Sequence, residues 1–347
     1  MSNARTLRVA VMAAIGTVTL MSAGCSQIYK QGANLALRFS ENHFVPPLIA
    51  MGDTQMACES GTALTPLIVA TQNLGADPTK MAVLLYASAG LCAEKQALNE
   101  ELRYLRDSRA GKVEDAQDAR LSQKRWADIA GRRQYAAYQM FANKWEHDYK
   151  IKLGDQCPSM KTDFDQTIYL LGLVTGLQAV INDINSGGTI NVPKDIAAVV
   201  ERSMKCLDNE KFWGTPLAVR AAIWTLLPGA SDGKPDPFQT LKDATRIGER
   251  NGVRLPHAIY ALAAQATGKD ELIRDALRTY GKTQEQSMPV NAKYRLFDAM
   301  GGELVTGIAD RYWTEKTGTR TPENGMLQFW DDKPADETGG INVDDLL

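Results

Sequence analysis

Three histidines are the first residues to test for chemistry, since histidine is the usual general base and metal ligand near neutral pH. His43, His147 and His257 stand far apart in the sequence, outside any recognisable catalytic motif. There is no G-x-S-x-G, no H-E-x-x-H and no paired-carboxylate signature. The chain is therefore predicted to be neither an enzyme nor a cofactor-binding protein.

The N-terminal segment predicts export and lipid attachment. Arg5 and Arg8 precede an apolar run over 9–20, which ends in small residues before Cys25. This resembles a bacterial lipoprotein signal peptide, although Ser22 stands where the lipobox usually has Leu. The resemblance implies removal of 1–24, acylation (palmitate included) of Cys25 and, because Ser26 is not Asp, an outer-membrane anchor facing the periplasm. An ordinary secretory signal or an uncleaved anchor are the alternatives.

Four further cysteines favour disulfides, since the predicted compartment is oxidising. They are Cys58, Cys92, Cys157 and Cys206, which allow three pairings. If 57–74 and 78–106 are antiparallel helices joined near Gly75, Cys58 and Cys92 lie equally far from the turn, and Cys157 with Cys206 follows by elimination. Zinc is the alternative, but there is no C-x-x-C and no histidine near a cysteine, so no metal is expected.

Composition places the protein among ordinary globular chains. A net charge of -2, with 44% hydrophobic and 23% charged residues, gives no field that would attract nucleic acid. The 347 residues are enough for one large helical domain or two modest ones.

The segment 163–185 predicts a central buried helix. Asp163 or Asp165 serves as N-cap, apolar residues run from Ile168 to Ile184, and 185–188 supply a stop. A helix that is apolar all round must be covered, and this run is too short and too closely flanked by Asp to span a bilayer comfortably. Gly172 and Gly176 would allow a neighbouring helix to approach, or would line a cavity.

The remaining pattern is helical throughout, so the predicted class is all-α. Residues 26–39 form an amphipathic helix that docks on the body or lies near the membrane, docking being favoured. Small residues over 257–268 and the helix to Tyr280 resemble a tetratricopeptide-type hairpin, without a strict 34-residue period. These hairpins are expected to pack round the central helix.

Two tryptophans, Trp213 and Trp224, flank a helix of small residues. They predict either a core plug at a helix corner or the wall of an apolar ligand cavity. Together with Tyr169 of the central helix they are the candidate ligand-binding residues.

The last segment, 314–347, loses periodicity and gains Gly, Pro, Asp and Glu. It is predicted to be a largely disordered acidic tail, in which Met326, Leu327, Phe329 and Trp330 could still dock. The predicted organisation is a signal peptide over 1–24, a helical domain over 25–313 and this tail.

The layout is similar to the T component of tripartite ATP-independent periplasmic (TRAP) transporters. The residues that carry the resemblance are Asp77-Pro78-Thr79, the run 199–208, the aromatic-Gly turn 212–214 and the hairpin 257–280. The family implies a helical-repeat lipoprotein with an apolar channel, which works beside a periplasmic solute-binding protein. The cysteines and the acidic tail depart from that pattern.

Two functions follow as hypotheses. The first is a transporter accessory that binds an apolar or organic-acid ligand or the solute-binding protein. The second is a helical-repeat scaffold for envelope proteins, without a ligand and with self-association as one option. A carrier requires an enclosed apolar cavity, whereas a scaffold requires an exposed binding surface.

Overall fold

The computed structural model describes residues 27–227 and 229–332. Cys25 and the predicted signal peptide lie outside them, as do residues 333–347. The described residues are helical, without a β-strand among them, which confirms the all-α class. The tetratricopeptide-like type of the hairpins stays a prediction.

Twelve helices account for most of the described chain. In order they are α1 (27–43), α2 (Val45–Met51), α3 (Thr54–Ala70), α4 (Thr79–Arg109), α5 (Val113–Tyr149), α6 (Asp163–Ser186), α7 (Ile196–Ser203), α8 (Thr215–Leu226), α9 (Pro237–Asn251), α10 (Leu255–Thr267), α11 (Asp270–Glu285) and α12 (Arg295–Thr317). The most extensive packing joins helices that follow one another in the chain, α3 with α4, α4 with α5 and α5 with α6.

Two hydrophobic cores divide the molecule. The first lies among α2–α7 and takes in Leu37 of α1, the turn before α8, Val219 and Ile223 of α8, and Phe297 of α12; the second lies among α8–α12. Ile259 of α10 packs against both, and α12 also contacts α2, α3 and α4. The two halves therefore share an interface made by α8, α10 and α12.

The predicted central helix corresponds to α6, with two corrections. Its N-cap is Thr162, whose hydroxyl accepts from the Asp165 amide at 3.0 Å, because a Thr one residue earlier reaches the same orphan donor. It also keeps an exposed edge, since Ile181 and Ile184 remain 43% and 58% exposed. Its most apolar stretch is long enough to cross a membrane, but 61% of that stretch is buried inside the protein.

The glycine face of α6 is filled by α5. A Cβ on Gly172 would overlap the ring of Phe141, and one on Gly176 would overlap that of Tyr138. Gly187, with φ of 95°, ends the helix where the stop was predicted. The glycines therefore admit aromatic side chains of a neighbouring helix and do not border a cavity.

Residues 314–332 are ordered and differ from the predicted disordered tail, and the docking that the sequence left open for their aromatic residues occurs. Helix α12 continues to Thr317, and the segment after it folds back onto α11 and α12. The Trp313 indole donates to the Gly325 carbonyl at 2.9 Å, and Phe329 is only 5% exposed. Its aromatic residues find a site formed by distant helices, which composition does not reveal.

Candidate functional site

Two of the predicted ligand residues, Tyr169 and Trp213, are buried in the first core. The Tyr169 ring is fully buried and meets Phe141 edge-on, with ring centres 5.6 Å apart. Trp213 packs on Tyr294, with ring centres 4.6 Å apart, and on Phe297. Both side chains are surrounded by other side chains of the protein.

Trp224 belongs to the second core, so the structure does not bring the three candidates together. Its indole nitrogen donates to Glu201 Oε1 at 3.0 Å, and Arg220 Nε donates to the same oxygen at 3.2 Å. Burial raises the pKa of the Glu201 carboxyl, but these two bonds together with the charges of Lys205 and Arg220 outweigh it, and the pKa is lowered. Packing of Trp213 and Trp224 matches the core-plug alternative.

Within the part of the chain that the structure describes, the buried polar atoms without a hydrogen-bond partner include Trp145 Nε1, Tyr169 Oη and Ser203 Oγ. Burial raises the pKa of Tyr169, so the phenol is neutral near pH 7. A neutral phenol among aromatic rings is a packing element with no acid-base partner beside it.

Both disulfides occur in the pairing that the sequence favoured. Cys58 on α3 joins Cys92 on α4 with Cα atoms 5.4 Å apart, and Cys157 joins Cys206 with Cα atoms 5.3 Å apart. The first bridge links neighbouring helices of one hairpin. The second ties the loop before α6 to the end of α7, so it fixes the helix that carries Glu201.

A buried polar cluster joins α4, α5 and α6. Gln134 Nε2 and Asn182 Nδ2 donate to Glu94 Oε1 at 2.8 and 2.7 Å, and Asn182 also donates to Gln134 Oε1. The stem of Glu94 keeps some surface, but Oε2 is enclosed and unpartnered. Burial raises the pKa of Glu94, and the two donated bonds only partly offset it.

Sequence reasoning missed this cluster. Its signal was a polar residue on the inward face of each of three successive helices, which in sequence looks like three ordinary surface positions. One carboxylate with two amides contains no second acid-base group, so the arrangement offers a proton-binding position and no catalytic pair.

Histidines and metal ligands add no site. His257 is fully buried, with Nε2 3.0 Å from Glu249 Oε1 and its ring against Tyr280. His43 stacks on Phe39 and His147 is exposed beside Asp148. Among the described residues, no group of three or more His, Cys, Asp or Glu side chains could hold a metal ion.

A pocket opens at the turn between α4 and α5. It has a volume of about 270 Å³ and is lined by Tyr104, Ser108, Gly111, Val113, Ala116 and Gln117. The Arg120 guanidinium lies over the ring of Tyr104, 5.4 Å from its centre, and Val113 is 57% exposed. We call it the tip pocket; it is open to solvent and suits a protruding apolar side chain.

A second pocket, of about 120 Å³, lies between the α10–α11 turn and α12. The ion pair of Lys316 with Asp270, at 3.1 Å, joins two of its lining residues. Neither pocket is lined by Tyr169, Trp213 or Trp224.

Large apolar side chains are exposed mainly on the first helices. Those between residues 28 and 74 are Ile28, Tyr29, Leu35, Phe39, Phe44, Met51, Met56, Leu64, Leu67 and Leu74. Patches of this kind on a folded protein usually mark an interaction surface.

No protein-family model, no curated protein and no solved structure matches this chain.

Proposed function

We propose that the chain is a lipid-anchored periplasmic scaffold that holds a protein partner at the tip of its α4–α5 hairpin and encloses no small-molecule ligand.

 The observation that carries it is the packing of the predicted ligand residues. Tyr169, Trp213 and Trp224 are at most 5% exposed and contact the protein's own side chains. A binding site for a partner is therefore expected on the surface of the protein.

The length of the α4–α5 hairpin supports the proposal. Helix α4 has 31 residues, which at 1.5 Å per residue gives a length of about 45 Å. Its first turn lies beside α1, close to the predicted anchor at Cys25, because Asn34 Oδ1 accepts from the Asp77 amide at 3.2 Å. The tip pocket is at the opposite end of α4. A partner bound there would be held away from the anchored end.

The TRAP resemblance supplies one candidate partner, a periplasmic solute-binding protein. That version of the proposal keeps the lipid anchor, the helical hairpins and a protein contact. The packing of Tyr169, Trp213 and Trp224 adds no support for ligand transfer, so we propose the accessory role through protein binding alone.

The test is a photo-crosslinker placed at Gln117 in cells that make the protein. Val113→Asp puts a carboxylate into the tip pocket and, at the first turn of α5, also favours the helix dipole, so folding is kept. We expect a protein adduct at Gln117 that Val113→Asp weakens at least tenfold. Leu121→Asp, which changes a residue 54% exposed on the same helix outside the pocket, is the control and should leave the adduct unchanged.

Identification of the adduct separates the versions of the proposal. A solute-binding protein would support the transporter accessory, and another envelope protein would support the general scaffold. No protein adduct, or a small molecule retained by the purified protein in native mass spectrometry, would contradict the scaffold.

A further inference from the structure

Helix α1 has two unlike faces. Its inner face packs on the body through Ala33 and the buried Leu37. Asn34 on the same side accepts from the Asp77 amide, and Glu41 lies 4.0 Å from Lys80. These contacts fix how the helix is rotated on the protein.

The outer face carries three large apolar side chains, Ile28, Leu35 and Phe39, which are 68%, 70% and 52% exposed. They are seven and four positions apart, so they form one stripe along the helix. Leu37 is two positions from both Leu35 and Phe39, which places it about 200° round the helix from them. The stripe, called here the α1 stripe, therefore faces away from the body.

Neighbouring residues continue this surface. Phe44 is 62% exposed and meets Phe39 edge-on, with ring centres 5.6 Å apart. The apolar surface therefore continues from α1 onto the residue that precedes α2.

We propose that the α1 stripe binds the surface of a phospholipid bilayer. The exposed charged side chains of α1 within 27–43 are Lys30 and Arg38, both positive, while Glu41 is partly buried near Lys80. Arg38 is about 60° round the helix from Leu35, so this cation lies beside the stripe. An amphipathic helix with an apolar face and flanking cations lies in the interface of a membrane that contains anionic lipid.

Charge also argues against a second copy of the chain on this surface. In a two-fold dimer the same stripe would meet itself, which would bring the cations of the two copies together. Anionic headgroups have the opposite effect.

The position in the chain agrees with a membrane. Residue 27 is two residues after Cys25, a distance of at most about 7 Å. A lipid on Cys25 would place α1 at the bilayer, and in this respect the inference rests on the proposed function. A helix lying in the interface would add its own binding energy to the lipid anchor and would set the orientation of the body on the membrane.

The experiment uses residues 26–347, which retain every described residue and carry no lipid. Flotation with vesicles of phosphatidylethanolamine and phosphatidylglycerol should recover bound protein. Replacing Ile28, Leu35 and Phe39 by Ser should reduce the bound fraction about tenfold or more, because the apolar contact is lost. The matched control replaces Ile181, Ile184 and Leu226 by Ser. These residues are 43%, 58% and 50% exposed on other parts of the surface, so the control should float as well as the unchanged protein does.

A second measurement tests the proposal without the triple variant, in case that variant does not fold. Phe39→Cys labelled with an environment-sensitive dye should shift to the blue when vesicles are added, and Ile184→Cys with the same dye should not. Absence of flotation, equal loss in the control, or a dimer that the α1 substitutions dissociate would overturn the proposal. The assay contains no protein partner, so its failure leaves the crosslinking test at the hairpin tip unaffected.

Discussion

Glu94 shows how a single buried carboxyl can couple the fold to pH. Among the described residues, its hydrogen-bond donors are the side-chain amides of Gln134 and Asn182, on the two helices α5 and α6 that pack against α4. Amides lower the cost of the charge without cancelling it, so burial prevails and the pKa of Glu94 is raised. The group is therefore expected to favour the folded state in its protonated form.

Glu94→Gln should change the pH dependence of stability. The raised pKa means that the wild type is favoured below the ordinary Glu value of about 4.3 and loses stability as the pH rises through the higher pKa of the folded state. The amide keeps an acceptor for Gln134 and Asn182 but does not ionise. Its advantage in free energy of unfolding over the wild type should grow between pH 4 and pH 8, as measured by urea denaturation.

The exposed Glu285→Gln is the control and should parallel the wild type across that range. A Glu94→Gln advantage that is the same at both pH values would show that the carboxyl does not titrate between them, and the cluster would then have no pH role.

At the scale of elements, the sequence predicted correctly those features that depend on residues close together in the chain. The cysteines of α3 and α4 could be paired because two helices and one turn fix their register. The end of α6 could be placed because Gly187 marks it, whereas its cap shifted to Thr162. Local patterns thus predicted the helices and the first disulfide.

Features formed by residues far apart in the chain could not be predicted from the sequence, because they exist only in the assembled fold. The Glu94 cluster needs three helices in their final packing, and the site for Phe329 exists only once α11 and α12 are assembled. The Arg274 guanidinium lies 4.9 Å from the centre of the Phe329 ring and 5.0 Å from that of Trp330, and it donates to Asp331. From composition alone, the same residues were predicted to belong to an acidic tail.

Substitution of Phe329 tests how firmly this segment is docked. The ring is 5% exposed and stacks on Trp313 with centres 6.1 Å apart, so Phe329→Ala should cost about 3 kcal/mol in free energy of unfolding. Trp330 is 39% exposed, and Trp330→Ala should cost only about 1 kcal/mol. Denaturation of the two variants gives the comparison; a neutral Phe329→Ala would restore the prediction of a free tail.

At the scale of the whole molecule, the two surfaces lie at opposite ends of α4. Helix α1 contacts the body at the first residues of α4, through Asn34 with Asp77 and Glu41 with Lys80. The tip pocket lies beyond its last residues. A protein attached to a membrane by α1 would carry its partner-binding surface at the far end of a rigid hairpin.

Energy transfer to acceptor lipids tests this arrangement. With Cys25 absent and the other cysteines paired, a new cysteine at the exposed Gln31 or at Lys112 is the one free thiol and takes a donor dye. On vesicles we expect strong transfer from position 31 and much weaker transfer from position 112, because α4 separates the two by up to about 45 Å. Equal transfer would mean that α4 lies flat on the bilayer, which would place the tip pocket against lipid and contradict its role in holding a partner away from the membrane.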